Sequence, residues 1–377
     1  SAGRIGPAAF FDGTDDYIEL ANEADFDYVG SSITVSAWVH ADTFAESFEA
    51  IVAKGDGAWR FSASGAGGRF HWAQNGTTNS PLNGNLVVDT SPPRWYHVTA
   101  VYDAPNSVRS LYIDGQLDAT GVGGGTINST NEPVRIGSNS EQGGREFDGR
   151  LDEVRISGAA RSSGWIATEY NNQSDTAIGT GRFFESFSAE VTEAWNPSWW
   201  DADWPYRKSL TLNKSMVGRD NILRDNSDLQ DMPVLLYFTD NQMGSGVAQT
   251  TGGDIAFVLE SGGTFTQLEH EIVEFDSTSG LVHAWVEIPA ISSSSDTRIW
   301  TYYGNGAAAD QQDVDGTWSN GFDGVWHLEE NGSGLPNAYK DSSPNDRHGD
   351  SGAVTVSGPP TQNLTGKINI GQDFSGT

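Results

Sequence analysis

The 377 residues allow two or three domains, and 51 Asp and Glu against 21 Lys and Arg leave a formal charge of −30. A surface of that sign disfavours nucleic acid and anionic membranes, and it suits a salty or calcium-containing medium that offsets self-repulsion. The lack of cysteine excludes disulfides and thiol chemistry without excluding export. No run of about 18 apolar residues argues for membrane insertion, and no basic-then-apolar amino terminus is present, so a soluble chain without its own export signal is expected.

From residue 17 to 156 the pattern is β throughout. Ile33, Val35, Ala37 and Val39 alternate on one face with Trp38 on the other, and residues 69–73, 95–102 and 108–113 alternate likewise. Asn75-Gly76, Asp114-Gly115 and Asp148-Gly149 separate these runs as tight-turn signals. Such spacing predicts an antiparallel sandwich. A helix follows from Ser162 or Ser163 to about Gln173, carrying Trp165, Ile166 and Tyr170, and it is expected to seal an edge of that sandwich. Residues 174–198 read as a polar linker. A second β region covers 199–310, and a third segment, 311–377, contains further strands.

The carboxyl terminus repeats the amino terminus. GKINIGQDFSGT at 366–377 aligns without gaps on GRIGPAAFFDGT at 3–14, with Gly3/Gly366, Arg4/Lys367, Ile5/Ile368, Phe11/Phe374, Gly13/Gly376 and Thr14/Thr377 at one separation. A chain cut through a repeat in this way lacks strands at one end and has spare ones at the other, and unpaired strand edges seek partners.

The segments FFDGTDDYIEL (10–20), ITVSAWV (33–39), WYHVTAVY (95–102), LYIDG (111–115) and GRLDEVRIS (149–157) resemble the laminin-G-like, concanavalin A-like jelly-roll family over residues 1 to about 172, within a first domain expected at 1–173. In that family a W-x-L-x-E stretch and a D-S-x-x-N-x-x-H-G stretch come before the FDG segment. Here they stand at the other end, as VWHLEE (325–330) and Asp341-Ser342-Ser343-Pro344-Asn345-Asp346-Arg347-His348-Gly349. The middle region, with WWDADWPYRK (199–208), DMPVLL (231–236), DIAF (254–257) and IWTYYGN (299–305), resembles an uncharacterised β domain of secreted bacterial and archaeal proteins. The expected architecture is therefore all-β: a concanavalin A-like jelly-roll sandwich joined to a second β-sandwich domain. The jelly roll is split, either permuted within one chain or strand-swapped between chains.

The resemblance implies calcium near the sandwich rim, and oxygen-only ligands suit that hard cation. Asp12, Asp15 and Asp16 around Gly13, with Asp148 and Asp152 around Gly149, are the candidate ligands; as Asp-Gly turn residues they also have a purely structural reading. DQQDVDG (310–316) has the look of a calcium loop but no closing glutamate, so a solvated linker is the simpler reading. For sugar binding the candidates are Trp59, His71, Trp72 and Asn75. Alternation groups Trp59 with Phe61 and Trp72 with Phe70, which is a core pattern, and turns His71 outward. No nucleophile elbow, metalloprotease motif, P-loop or dinucleotide fingerprint is present, and the chain is expected not to be an enzyme. Glu269-His270-Glu271 reads as surface.

The main expectation is an extracellular or cell-surface structural or adhesive protein of a bacterium or archaeon, a calcium-stiffened repeat unit that joins its own kind head to tail into a fibre or stalk. Val325, Trp326, Leu328, Ile368 and Phe374 would carry the exchanged strands into a neighbouring copy. The alternative is a carbohydrate-binding, lectin-like module with glycan partners.

Overall fold

The computed structural model describes residues 9–44, 48–65, 67–192, 198–218, 227–330, 336–351, 361–362 and 372–374. The chain divides into two compact units, residues 1–162 with 321–377 and residues 163–320. Both are almost entirely β, as the alternating patterns require.

The first unit is two sheets face to face. One runs, in strand order, Gln116–Val122, Val108–Ile113, Tyr96–Asp103, Ile33–Ala41, Asp148–Ser157, Ala9–Asp12, Gln372–Phe374 and Thr361–Gln362. Phe322–Trp326 adds to it along Asp148–Ser157, so that one long strand is flanked end to end by Ala9–Asp12 and by Phe322–Trp326. The other sheet runs Gly349–Ser351, Ile18–Leu20, Arg135–Ile136, Ala50–Lys54, Trp59–Ala63, Arg69–Gln74 and Leu82–Val87. Inward residues of both sheets, among them Val35, Val39, Phe61, Phe70, Val98 and Leu151, make one core with Trp326, Leu328 and Tyr339.

The 321–351 segment is thus part of the core of the unit that residues 9–157 begin. Trp326 is fully buried and donates to the Arg347 carbonyl at 3.1 Å. Gly324 makes room for it: a Cβ there would lie 2.1 Å from the indole ring. The stretch from Asp341 to Gly349 is organised by its first residue. The Asp341 carboxylate accepts from the Val325, Ser343 and Arg347 amides at 2.8, 2.9 and 2.8 Å. Asn345 then donates to the Phe322 carbonyl at 3.0 Å, closing the loop back onto the strand.

A further tie is buried. Glu153 sits at φ 49° in a bulge of Asp148–Ser157 and accepts from Arg155 at 2.8 Å, with His327 Nδ1 at 2.9 Å. Burial works to raise its pKa, but the His327 and Arg155 charges outweigh it and hold the carboxyl well below the usual range.

In the second unit one sheet is ordered Phe184–Phe187, Tyr206–Leu212, Thr297–Tyr303, Ala256–Ser261 and Thr264–Leu268, and another is Leu229–Thr239, Leu281–Ile291 and His270–Asp276. Phe184–Phe187 falls inside the stretch read as a linker; pairing with Tyr206–Leu212 makes it a sheet strand instead. The Ser163–Ser174 helix also belongs to this unit. Its Asn172 side chain accepts from the Leu235 amide at 2.8 Å and donates to the Leu235 carbonyl at 3.0 Å, so it packs on Leu229–Thr239.

Candidate functional site

Two of the sequence candidates for sugar binding are core. Trp59 and Trp72 are buried against Tyr28 and Phe61, and their indole nitrogens donate to the Phe26 and Val101 carbonyls at 3.0 and 3.1 Å. They offer no face to a ligand. His71 does point away from that core, yet it is only 2 % exposed, which corrects the expectation of an exposed imidazole. Its Nδ1 lies 2.7 Å from Asn83 Oδ1, and the Phe48 ring covers it at 5.1 Å. Burial, together with the Arg60 and Arg145 charges and against the Asn83 bond, lowers its pKa to about 4, so the ring is neutral at pH 7. Asn75 is exposed and lines a shallow groove of about 490 Å³ with Val29, Gly57, Thr126, Asn128 and Thr130.

Beside that groove is a constellation the sequence reading missed. Phe48 is half-buried at φ 69°, a backbone region that a bulky side chain occupies only when its surroundings hold it there. The Arg60 and Arg145 guanidinium carbons lie 5.0 and 5.1 Å from its ring centre. Both guanidiniums bond Asp56, which also accepts from Asn139 at 3.0 Å. Burial works to raise the Asp56 pKa, but these donors outweigh it and hold it below the usual carboxylate range. Glu141 accepts from the Asp56 and Gly57 amides at 2.7 and 2.8 Å and so fixes the turn. Strand alternation accounts for the placement: Trp59 and Phe61 face the core, which leaves Arg60 on the opposite face of Trp59–Ala63. Phe48 and Arg145 come from loops, and no periodicity announces them.

The acidic candidates separate into a group and two outliers. Asp12, Asp15 and Asp16 bring carboxylate oxygens within 4.8 Å of one another. Asp16 is buried and accepts from the Asp12 amide at 3.2 Å. Burial first, and then the Asp12 and Asp15 charges working against that amide bond, push its pKa up to about 8. Three crowded carboxylates with only oxygen donors have the chemistry a divalent hard cation takes. Asp148 is the register partner of Asp12 but is engaged by the Thr43 hydroxyl at 2.9 Å. Asp152 lies four residues farther along the same strand, about 13 Å away at strand spacing, opposite Trp38 and buried. It is not part of the group.

The DQQDVDG stretch leads from irregular chain into a short helix. Asp313 caps the short Val314–Thr317 helix by accepting from the Gly316 amide at 2.9 Å. His270 is fully buried beside Phe257, a correction to its surface assignment, and Glu269-His270-Glu271 therefore does not present an accessible acid–base set. In the same unit Arg207 is held between Trp199 and Trp300 at 4.4 and 3.9 Å.

Of the candidate assembly residues, Trp326 and Leu328 are buried in the core of their own chain's first unit, and Val325 is buried in the Phe322–Trp326 strand. The seam they fill is therefore closed without a neighbouring copy. Phe374 lies in the Gln372–Phe374 strand, and Ile368 falls outside the described residues. Among the described residues no helix is long and apolar enough to cross a membrane.

Residues 12–167 match the family model of the concanavalin A-like lectin/glucanases superfamily, and residues 251–332 match a domain of unknown function (DUF2341). No curated protein matches the chain. Similar solved structures include a provisionally assigned carbohydrate binding protein from Bacteroides ovatus, with 24 % identity, TM-score 0.36, and coverage of 42 % of this chain and 45 % of that one. The chain thus spans less than half the length of that protein. The CBM40 of the Ruminococcus gnavus IT-sialidase has 16 % identity and TM-score 0.32, over 42 % of this chain and 91 % of its own. A heptameric SAP-like pentraxin from Limulus polyphemus has 17 % identity and TM-score 0.34, over 45 % and 80 %. The chain carries a concanavalin A-like, laminin-G-like jelly-roll domain at residues 12–167 and a domain of unknown function at residues 251–332.

Proposed function

We propose that the first unit is a non-catalytic carbohydrate-binding module of an extracellular or surface protein, with its ligand against Phe48, Arg60, Arg145 and Asp56. The observation that carries this reading is Phe48, a half-buried aromatic ring held at φ 69° with two guanidiniums, which share one carboxylate, 5.0 and 5.1 Å from its centre. A sugar ring needs an apolar surface for its C–H face and fixed charged or amide groups for its hydroxyls, and this cluster supplies both. The superfamily match, whose description names lectins as well as glucanases, is in keeping with this reading.

Calcium is proposed at Asp12, Asp15 and Asp16, where it would offset the burial and the mutual repulsion that raise the Asp16 pKa. Assembly into a fibre is the second reading, and the repeated terminal segment favours it. It is weakened by the filling of the 322–326 position from within the chain.

The test is a glycan array followed by titration calorimetry on the hits. Phe48→Ala and Arg60→Ala are expected to weaken binding at least tenfold while circular dichroism stays unchanged, with Asn75→Ala smaller. An array with no hits, or hits indifferent to both substitutions, would sink the assignment.

A further inference from the structure

The two copies of the terminal strand lie side by side. Ala9–Asp12 runs antiparallel to Asp148–Ser157, with Phe10 opposite Arg150 and Phe11 opposite Gly149. Gln372–Phe374 runs parallel to Ala9–Asp12 on its other edge, with Asp373 opposite Phe10 and Phe374 opposite Phe11. The separation of those partners, 363 residues (374 less 11), is the separation of the repeat itself.

This has a geometric consequence. A parallel neighbour of Ala9–Asp12 is already antiparallel to Asp148–Ser157 and already in register with it. Moving sideways by one strand spacing, about 4.8 Å, would bring Phe374 opposite Gly149 and Asp373 opposite Arg150, with no reversal and no slip.

The slot is selective in a way both copies satisfy. Phe11 is fully buried, its ring 6.0 Å from that of Phe147, and a Cβ on Gly137 would approach it to 2.0 Å. Two residues later Gly13 turns at φ 72°, where a Cβ would meet the Asp148 side chain at 2.9 Å. The slot therefore takes phenylalanine, one free position, then glycine, and the second copy offers Phe374, Ser375 and Gly376.

We propose that this edge of Asp148–Ser157 is an exchangeable strand slot, which the C-terminal copy at Gln372–Phe374 takes in place of Ala9–Asp12 of the same chain. The free position differs: Ser375 stands where Asp12 does. Exchange thus removes one carboxylate from the Asp12, Asp15 and Asp16 group, and any cation held there would favour the N-terminal copy.

The absence of native cysteine makes the test clean. In the full chain, Arg150→Cys is paired either with Phe10→Cys, which reports the arrangement described, or with Asp373→Cys, which reports the exchanged one. Each is oxidised and run on a non-reducing gel, with free thiols counted; opposed strand residues sit close enough for a disulfide. The result expected is a cross-link within the chain for both pairs, and loss of most Asp373→Cys cross-linking when Phe374→Ala is added. A cross-link for Phe10→Cys alone overturns the exchange. A ladder of cross-linked chains from the Asp373→Cys pair would place a neighbouring chain's copy in the slot and overturn the same-chain assignment.

Discussion

Two buried aspartates in one jelly roll differ in what surrounds them. Asp341 is buried, but three backbone amides and the Ser343 hydroxyl surround its oxygens, so the fold itself satisfies it. Asp16 is buried beside two more carboxylates, and its pKa is pushed up to about 8. Burial raises the pKa of both carboxyls, but amide donors work against it at Asp341, whereas neighbouring carboxylates add to it at Asp16. Aspartates that look alike in sequence divide by what the chain aims at them.

The largest effect that would break this contrast is at Asp341. Asp341→Ala strands three buried amides and is expected to cost about 3–5 kcal/mol, since each unsatisfied buried donor costs roughly 1–3 kcal/mol. Urea unfolding followed by tryptophan fluorescence reads it. A loss under about 1 kcal/mol would mean the loop at 341–349 does not depend on that carboxylate.

Next is the Asp16 group. A carboxyl whose folded pKa lies above its unfolded value of 3.8 binds extra protons when folded, so stability is present at low pH and falls as pH rises from about 4 to about 8. Calcium at about 100 times its Kd should restore about 2.7 kcal/mol at pH 8. Asp16→Asn should flatten the slope and lose the calcium effect together. Thermal melts across that range, with calcium and with chelator, decide it; an unchanged calcium response in the variant would remove the site from these residues.

The smallest effect sharpens the comparison with a third buried carboxyl. Glu153 is held low by His327 and Arg155, so its contribution is present above pH 4.5 and is lost as pH falls below it. His327→Gln leaves Arg155 in place and is expected to cost about 2 kcal/mol at neutral pH, the scale of a hydrogen bond to a charged group. The acid unfolding midpoint should also move to higher pH. An acid unfolding midpoint that does not move would show that Arg155 alone compensates Glu153.

Much of the fold was legible in the residues alone. Strict alternation at 33–39 and 95–102, and turn dipeptides between strands, have local causes and local signatures. The candidate sites were less so. Alternation already grouped Trp59 and Trp72 with core residues, and packing against Tyr28, Phe61 and the facing sheet buries them, which removes them as sugar platforms. Phe48 carries no period, and its neighbours Arg60, His71 and Arg145 come from separate parts of the chain.

The sequence by itself determined the all-β class, the family of the first domain, and the existence of a second copy of the strand at 9–12. It did so because side-chain alternation, turn chemistry and a repeat are properties of neighbouring residues or of plain identity. Only the tertiary structure decided that Trp326 completes the core of its own chain, that Asp152 stands apart from Asp12, Asp15 and Asp16, and that His71 is buried. Those outcomes depend on strand register and on which loop covers which face. A pairing between residues far apart in the chain, such as Val154 with Trp326 or Ile18 with Ser351, is written in no local pattern.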